Sequence, residues 1–182
     1  MVLTRKQTDA SAILQAAWIE KARRNPTWFL RQVLGADYNF GSYDKQAEMA
    51  LALRDHGRVA CVGCNGSGKD WTAARLMLWW QWVHDEAITV VIGPTGRQVN
   101  DVIWKEARSA YNISRLPLGG RMYNTSRWEH NSRRYAVGFA TDDELNIQGY
   151  HSPHLLAIVT EAHNVAQPYI DAVKRLNPER IL

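Results

Sequence analysis

Val59-Ala60-Cys61-Val62-Gly63-Cys64-Asn65-Gly66-Ser67-Gly68-Lys69-Asp70 is the stretch from which the rest of the chain can be read. Four apolar residues of strand type run into G-x-x-x-x-G-K, and a helix-forming run follows over residues 70–84. Strand, glycine-rich turn and helix in that order are the context that a phosphate-binding P-loop requires. The glycines let the backbone curl until its N–H groups point at phosphate oxygens. The helix N-terminus adds partial positive charge, and the lysine ammonium reaches the outer phosphates. Candidate nucleotide contacts are therefore Gly63, Cys64, Asn65, Gly66, Ser67, Gly68, Lys69 and Asp70. A ligand-free glycine turn is the bland alternative, and it leaves the spacing, the lysine and the helix start as coincidences.

On either side, the pattern alternates. Residues 1–24 read as a helix with Ile13, Leu14, Ala17 and Trp18 on one face and a basic end at Lys21, Arg23 and Arg24. Asn25-Pro26 breaks it, residues 27–34 restart a short helix ended by Gly35, and 35–42 form a loop. Residues 43–53 are helical, with Ala47, Ala50, Leu51 and Leu53 inward, and 59–62 form a buried strand. Residues 88–92 make a second buried strand, 98–111 a helix, and 114–126 an irregular stretch. Residues 127–130 and 134–139 pair as a hairpin around Asn131-Ser132. A polar loop over 141–153 leads to a strand over 155–159, and 167–176 form a helix. Alternation of this kind predicts an α/β fold, a P-loop NTPase of RecA-like (ASCE) type with a largely parallel central sheet flanked by helices. Residues 1–42 read as an N-terminal helical segment with a linker, and 43–182 as the ATPase-type core. Arg180-Ile181-Leu182 reads as the opening of another buried strand, so the core is expected to be truncated there.

Composition narrows the class. The 182 residues are 46% hydrophobic and 22% charged, the balance of an ordinary folded domain. A net charge of +4 suits a polyanionic partner without establishing one. No apolar run has membrane-spanning length and the start lacks a signal-like segment, so a soluble intracellular protein with no membrane partner is expected. Four of the eight tryptophans (Trp71, Trp79, Trp80 and Trp82) fall in the helix after the P-loop and call for a thick core around it. Cys61 and Cys64 make a C-x-x-C without a second pair, which reads as incidental spacing, and His151 and His154 stand too alone for a metal site.

The second chemical signal is Leu155-Leu156-Ala157-Ile158-Val159-Thr160-Glu161. An apolar strand ending in an acid is where P-loop ATPases hold the group that polarises the attacking water. By itself the pattern is equally a plain strand end; its place after a P-loop gives it meaning. Two positions depart from the usual chemistry. A hydroxyl normally follows the P-loop lysine and an Asp normally precedes the glutamate, but here Asp70 and Thr160 stand there. Either Asp70 is only a favourable acid at a helix N-terminus and both sites have drifted separately, or the two positions have traded acid for hydroxyl. In the second case both hold Mg²⁺.

Asn25-Pro26-Thr27-Trp28-Phe29, then Tyr43-Asp44-Lys45-Gln46, then the P-loop, resemble the opening of phage large terminase subunits. Pro94-Thr95-Gly96-Arg97-Gln98-Val99 and the stretch from Gln148 to His154 extend that likeness, which runs from about residue 25 to 176. The resemblance implies an ATP-driven motor that threads double-stranded DNA into a procapsid in the host cytoplasm. It works with a portal protein and a small terminase subunit, as a homo-oligomeric ring. It also implies ATP and Mg²⁺ as cofactors, Lys69 and Glu161 as catalytic residues, and Gln46 as the reader of adenine. A helix-surface role remains open for Gln46.

Departures from the family pattern go with it. Many members carry an arginine inside the P-loop, where this chain has Cys64 and Asn65; some supply one before the second motif, where it has Gln148. Arg97 and Arg127 are the candidates left for that charge. The family's coupling motif would lie on the strand opening at Ile181, and its nuclease domain would follow. Residues 127–135 mix bases with aromatics, as a phosphate-contacting surface does, or as a solvated hairpin with inward aromatics does. A helicase-like ATPase and a nucleotide-binding module without turnover are the rival functions.

Overall fold

Helix α4 (Lys69–Val83) organises the molecule. Every residue from Thr72 to Val83 in it is buried, Thr72, Arg75 and Gln81 included, so the helix is enclosed on all sides and not only along one apolar stripe. The computed structural model describes residues 5–36, 44–140 and 149–182. Residues 37–42 of the expected loop at 35–42, Tyr43, and most of the polar loop including Gln148 lie outside the described residues.

On one side of α4 pack α1 (Arg5–Arg24), α2 (Pro26–Trp28) with a π-helical turn over Phe29–Val33, and α3 (Asp44–Asp55). Asn25 caps α2, its side-chain oxygen accepting the Trp28 N–H at 2.9 Å. Gly35, at φ 69°, ends the π-helical turn in the left-handed conformation that glycine takes without strain. The Trp79 indole donates to the Ala22 carbonyl at 2.8 Å, tying α1 to α4. Further out, α1 exposes Ile13 (70%) and Leu14 (58%).

On its other side α4 covers a six-stranded sheet. Its strands are β1 (Ala87–Gly93), β2 (Arg121–Met122), β3 (Arg127–Asn131), β4 (Arg134–Ala140), β5 (His154–Val159) and β6 (Arg180–Ile181). The order is β2-β3-β4-β1-β5-β6. β4, β1, β5 and β6 run parallel, while β2 and β3 close one edge antiparallel. β1 is buried along its whole length, as a central parallel strand is. A π-helical turn (Gln98–Ile103) leads into α5 (Trp104–Ile113) on the α4 face, and α6 (Gln167–Arg175) covers the other face. The mixed α/β class with a largely parallel sheet is the one that the alternation predicts.

One expected element is corrected. Residues 59–62 form no regular strand. Their ladder consists of an isolated bridge between Arg58 and Ile181, with the Val59 N–H donating to the Ile181 carbonyl at 2.8 Å. The segment lies beyond β6, whose own pairing spans two residues, and Val62 is fully exposed. An apolar run reads as a buried strand only where the sheet continues on both sides of it.

At the opposite end of the sheet, His84 is 9% exposed and stacks on His154 at 4.0 Å between ring centroids. The His154 ring pairs with Glu179 at 2.8 Å. Burial, then the neighbouring His154 and Arg23, lowers the His84 pKa to about 3. The unfolded chain then binds one more proton than the folded one between about pH 6.5 and that value. Stability present above pH 6.5 is therefore lost on acidification, by up to about 1.4 kcal/mol per pH unit. Urea unfolding at stepped pH is expected to show this slope, and His84→Gln to flatten it. An unaltered slope in that variant would assign the proton uptake elsewhere.

Candidate functional site

The glycine-rich loop over 63–68 closes on itself at the start of α4. Gly66 (φ 78°) and Gly68 (φ 80°) take left-handed backbone conformations that an L side chain would strain. The Gly68 carbonyl accepts both the Thr72 N–H at 2.9 Å and the Thr72 hydroxyl at 2.8 Å, so the first helical turn is anchored. Lys69 folds back, its ammonium donating to the carbonyls of Gly63 at 2.8 Å and Cys64 at 3.1 Å. Those contacts place a cation inside the loop's own ring.

Gln46, on α3, meets this loop directly: a Cβ on Gly68 would overlap the Gln46 side-chain nitrogen. The packing gives Gly68 a second reason to be glycine besides its φ. The Gln46 Oε1 and the Ser67 Oγ are buried and have no hydrogen-bond partner among the described residues. A buried polar atom left unpaired costs about 1–3 kcal/mol, and both residues line a cavity of about 430 Å³ at the loop. Lys69, Asp70 and Glu161 line the same cavity, so the structure brings the glycine-rich loop and the end of β5 together.

Glu161 follows β5 in the left-handed region (φ 49°, ψ 45°), which a non-glycine residue enters at a cost of about 1–2 kcal/mol. Its carbonyl accepts the Asn164 N–H at 2.8 Å, and its carboxylate, 21% exposed, lies 3.5 Å from the His163 ring. Strain of this sort collects where a side chain must be aimed. Thr160, immediately before it, donates its hydroxyl to Asp70 Oδ1 at 2.8 Å.

The far wall is one that sequence reasoning misses: Trp71, Val102 and Glu106 complete the cavity. Arg75, 5% exposed, reaches Glu106 at 3.2 Å and lies 3.6 Å over the Trp71 ring, joining α4 to α5. No local pattern marks Glu106, because its role comes from the packing of two helices. Neither arginine candidate lines this cavity. Arg97 is exposed at the start of the turn before α5, and Arg127 pairs with Glu129 at 2.9 Å.

The hairpin turns its tryptophan inward and leaves Arg133 largely exposed. Trp128 is fully buried, Arg134 donates to the Gln81 carbonyl at 2.8 Å, and Arg133 pairs with Glu86 at 2.8 Å. Cys61 and Cys64 are exposed free thiols, and no cluster of three or more metal-ligating side chains occurs among the described residues. No helix among the described residues is long and apolar enough to cross a membrane.

The chain matches no protein-family model and no curated protein. Its fold is similar to that of the large terminase ATPase domain of Thermus phage P74-26, with a TM-score of 0.53. The likeness covers 78% of this chain and 67% of that one at 15% identity, and at that identity it speaks for the fold alone.

Proposed function

We propose that this chain is the ATP-binding and ATP-hydrolysing domain of a viral genome-packaging motor that translocates double-stranded DNA into procapsids. The observation that carries the reading is the P-loop cavity, where Lys69 and two residues with unpartnered buried oxygens face the same space as Glu161. The fold it shares with a terminase ATPase domain, and the order of motifs from Asn25 to Glu161, supply the motor context. Portal protein, small terminase subunit and further copies in a ring are the partners this context brings.

In this reading the backbone N–H groups of residues 66–70 and the α4 N-terminus hold the phosphates. Lys69 leaves the Gly63 and Cys64 carbonyls for the β- and γ-phosphate oxygens. Glu161 orients and deprotonates the attacking water, and its backbone conformation aims the carboxylate across the cavity. Gln46 reads the base edge with one donor and one acceptor. Magnesium, if bound, would be held by Asp70 and Thr160 and would supply positive charge against the charge developing on the phosphates. Among the described residues no arginine lines the cavity, and in a ring a neighbouring subunit can supply the cation that stabilises the transferred phosphoryl group.

Separate measurements of binding and turnover test this. The isolated chain is expected to bind Mg-ATP but to hydrolyse it slowly, since an absent arginine finger costs about 10³–10⁵ in rate. Gln46→Ala is expected to reduce discrimination of ATP from GTP by about 0.5–1.5 kcal/mol, the value of one hydrogen bond. Brisk turnover by the dilute monomer would show the site to be complete in one chain. Failure to bind any nucleotide would remove the proposal.

A further inference from the structure

Thr160 stands where β5 leaves the sheet, and its N–H donates to the Ile92 carbonyl at 2.9 Å, so β1 sets its position. A Cβ on Gly93 would lie 2.9 Å from the Thr160 γ-methyl group. Glycine leaves the space that this methyl fills, and a β-branched side chain held on one side has its χ1 decided. The hydroxyl then points across to the P-loop helix, where it meets Asp70 Oδ1 at 2.8 Å over 90 residues of sequence. Thr160 is only 6% exposed and Asp70 is half-buried, so this is a part-buried contact between the glycine-rich loop's helix and the strand end beside it.

P-loop nucleotide sites draw a hydroxyl from the residue after the lysine and a carboxylate from the strand end, both serving the magnesium. We infer that in this chain the two groups have exchanged places, Asp70 supplying the carboxylate and Thr160 the hydroxyl to one nucleotide-bound magnesium. The inference rests on the nucleotide reading above. Magnesium prefers oxygen ligands and keeps several waters, so one or two protein groups suffice and no larger acidic cluster is needed. A carboxylate beside a triphosphate is repulsive unless a cation lies between them. The contact keeps one carboxylate and one hydroxyl at a single point between α4 and the end of β5, the same inventory of groups that the usual arrangement supplies.

The test is the ratio of affinities for a non-hydrolysable ATP analogue with and without magnesium. It is measured by calorimetry on the wild type, Asp70→Thr, Thr160→Asp and the double variant. Magnesium is expected to tighten wild-type binding by about tenfold or more, as a charge-assisted contact does. Asp70→Thr is expected to lose most of that gain, and Thr160→Asp to weaken metal-free binding by bringing two carboxylates together. The double variant is expected to regain the gain, a non-additive outcome that marks coupled groups. Should the double variant fail to fold, Asp70→Asn keeps the shape and is expected to abolish the gain, while Thr160→Ser keeps the hydroxyl and the gain. Additive defects in the double variant, or a full gain in Asp70→Asn, would overturn the exchange. Single variants that only lower the thermal midpoint would overturn it too, reducing the pair to a latch between α4 and β5. Wild-type binding without magnesium enhancement overturns the exchange alone, whereas absence of nucleotide binding overturns the nucleotide reading itself.

Discussion

Glu161→Gln is expected to lower the single-turnover rate of ATP hydrolysis by about 10²–10⁴, the usual contribution of a positioned general base, while leaving Mg-ATP affinity nearly unchanged. The amide keeps the volume and most of the hydrogen bonding of the carboxylate but takes no proton from water. The backbone around it is expected to hold, because the Asn164 N–H bonds to the Glu161 carbonyl and not to its side chain. Enzyme in excess over labelled ATP isolates the chemical step from the slow steady state of the isolated chain. An undiminished rate would assign water activation to another group, and Glu106 across the same cavity would be examined next. A parallel loss of binding would make Glu161 a structural residue.

Lys69→Ala is expected to weaken ADP and ATP binding by two orders of magnitude or more. Each charge-assisted hydrogen bond to phosphate is worth about 1.5–3 kcal/mol, and the ammonium carries up to three donors. Binding of adenosine, which lacks phosphates, is expected to be far less affected. The fold itself is expected to survive, since the ammonium bonds to the carbonyls of two exposed loop residues, Gly63 and Cys64, and to no element of the core. Titration with adenosine, ADP and ATP separates the two effects. ADP affinity retained within a few-fold would mean that the loop holds its ligand without this cation.

Much of the architecture is legible locally. The helix at α4 and the strands at β1 and β5 follow from largely apolar runs bounded by glycine, proline or polar residues. The hairpin of β3 and β4 follows from alternation around Asn131-Ser132. Residues 59–62 show where such reasoning stops: they are apolar like β1, yet their hydrogen-bonding neighbour extends for two residues. The basic-aromatic stretch at 127–135 is ambiguous for a related reason. Composition does not say which side of a strand faces the core, and the structure buries Trp128 while committing Arg127, Arg133 and Arg134 to nearby acceptors.

The sequence by itself determined the glycine-rich turn ahead of α4, because such a turn is built from φ angles and spacing within seven consecutive residues, and it determined the alternating α/β pattern from which the sheet follows. Only the tertiary structure decided what surrounds the loop. The packing of α3 brings Gln46 against Gly68, the packing of α5 on α4 supplies Trp71, Val102 and Glu106 as a wall, and β1 holds the end of β5 so that Thr160 reaches Asp70. Each is a meeting of residues far apart in the chain. Such meetings are set by strand order and helix packing, which depend on how apolar faces fill space together and leave no mark on the neighbouring letters of the sequence.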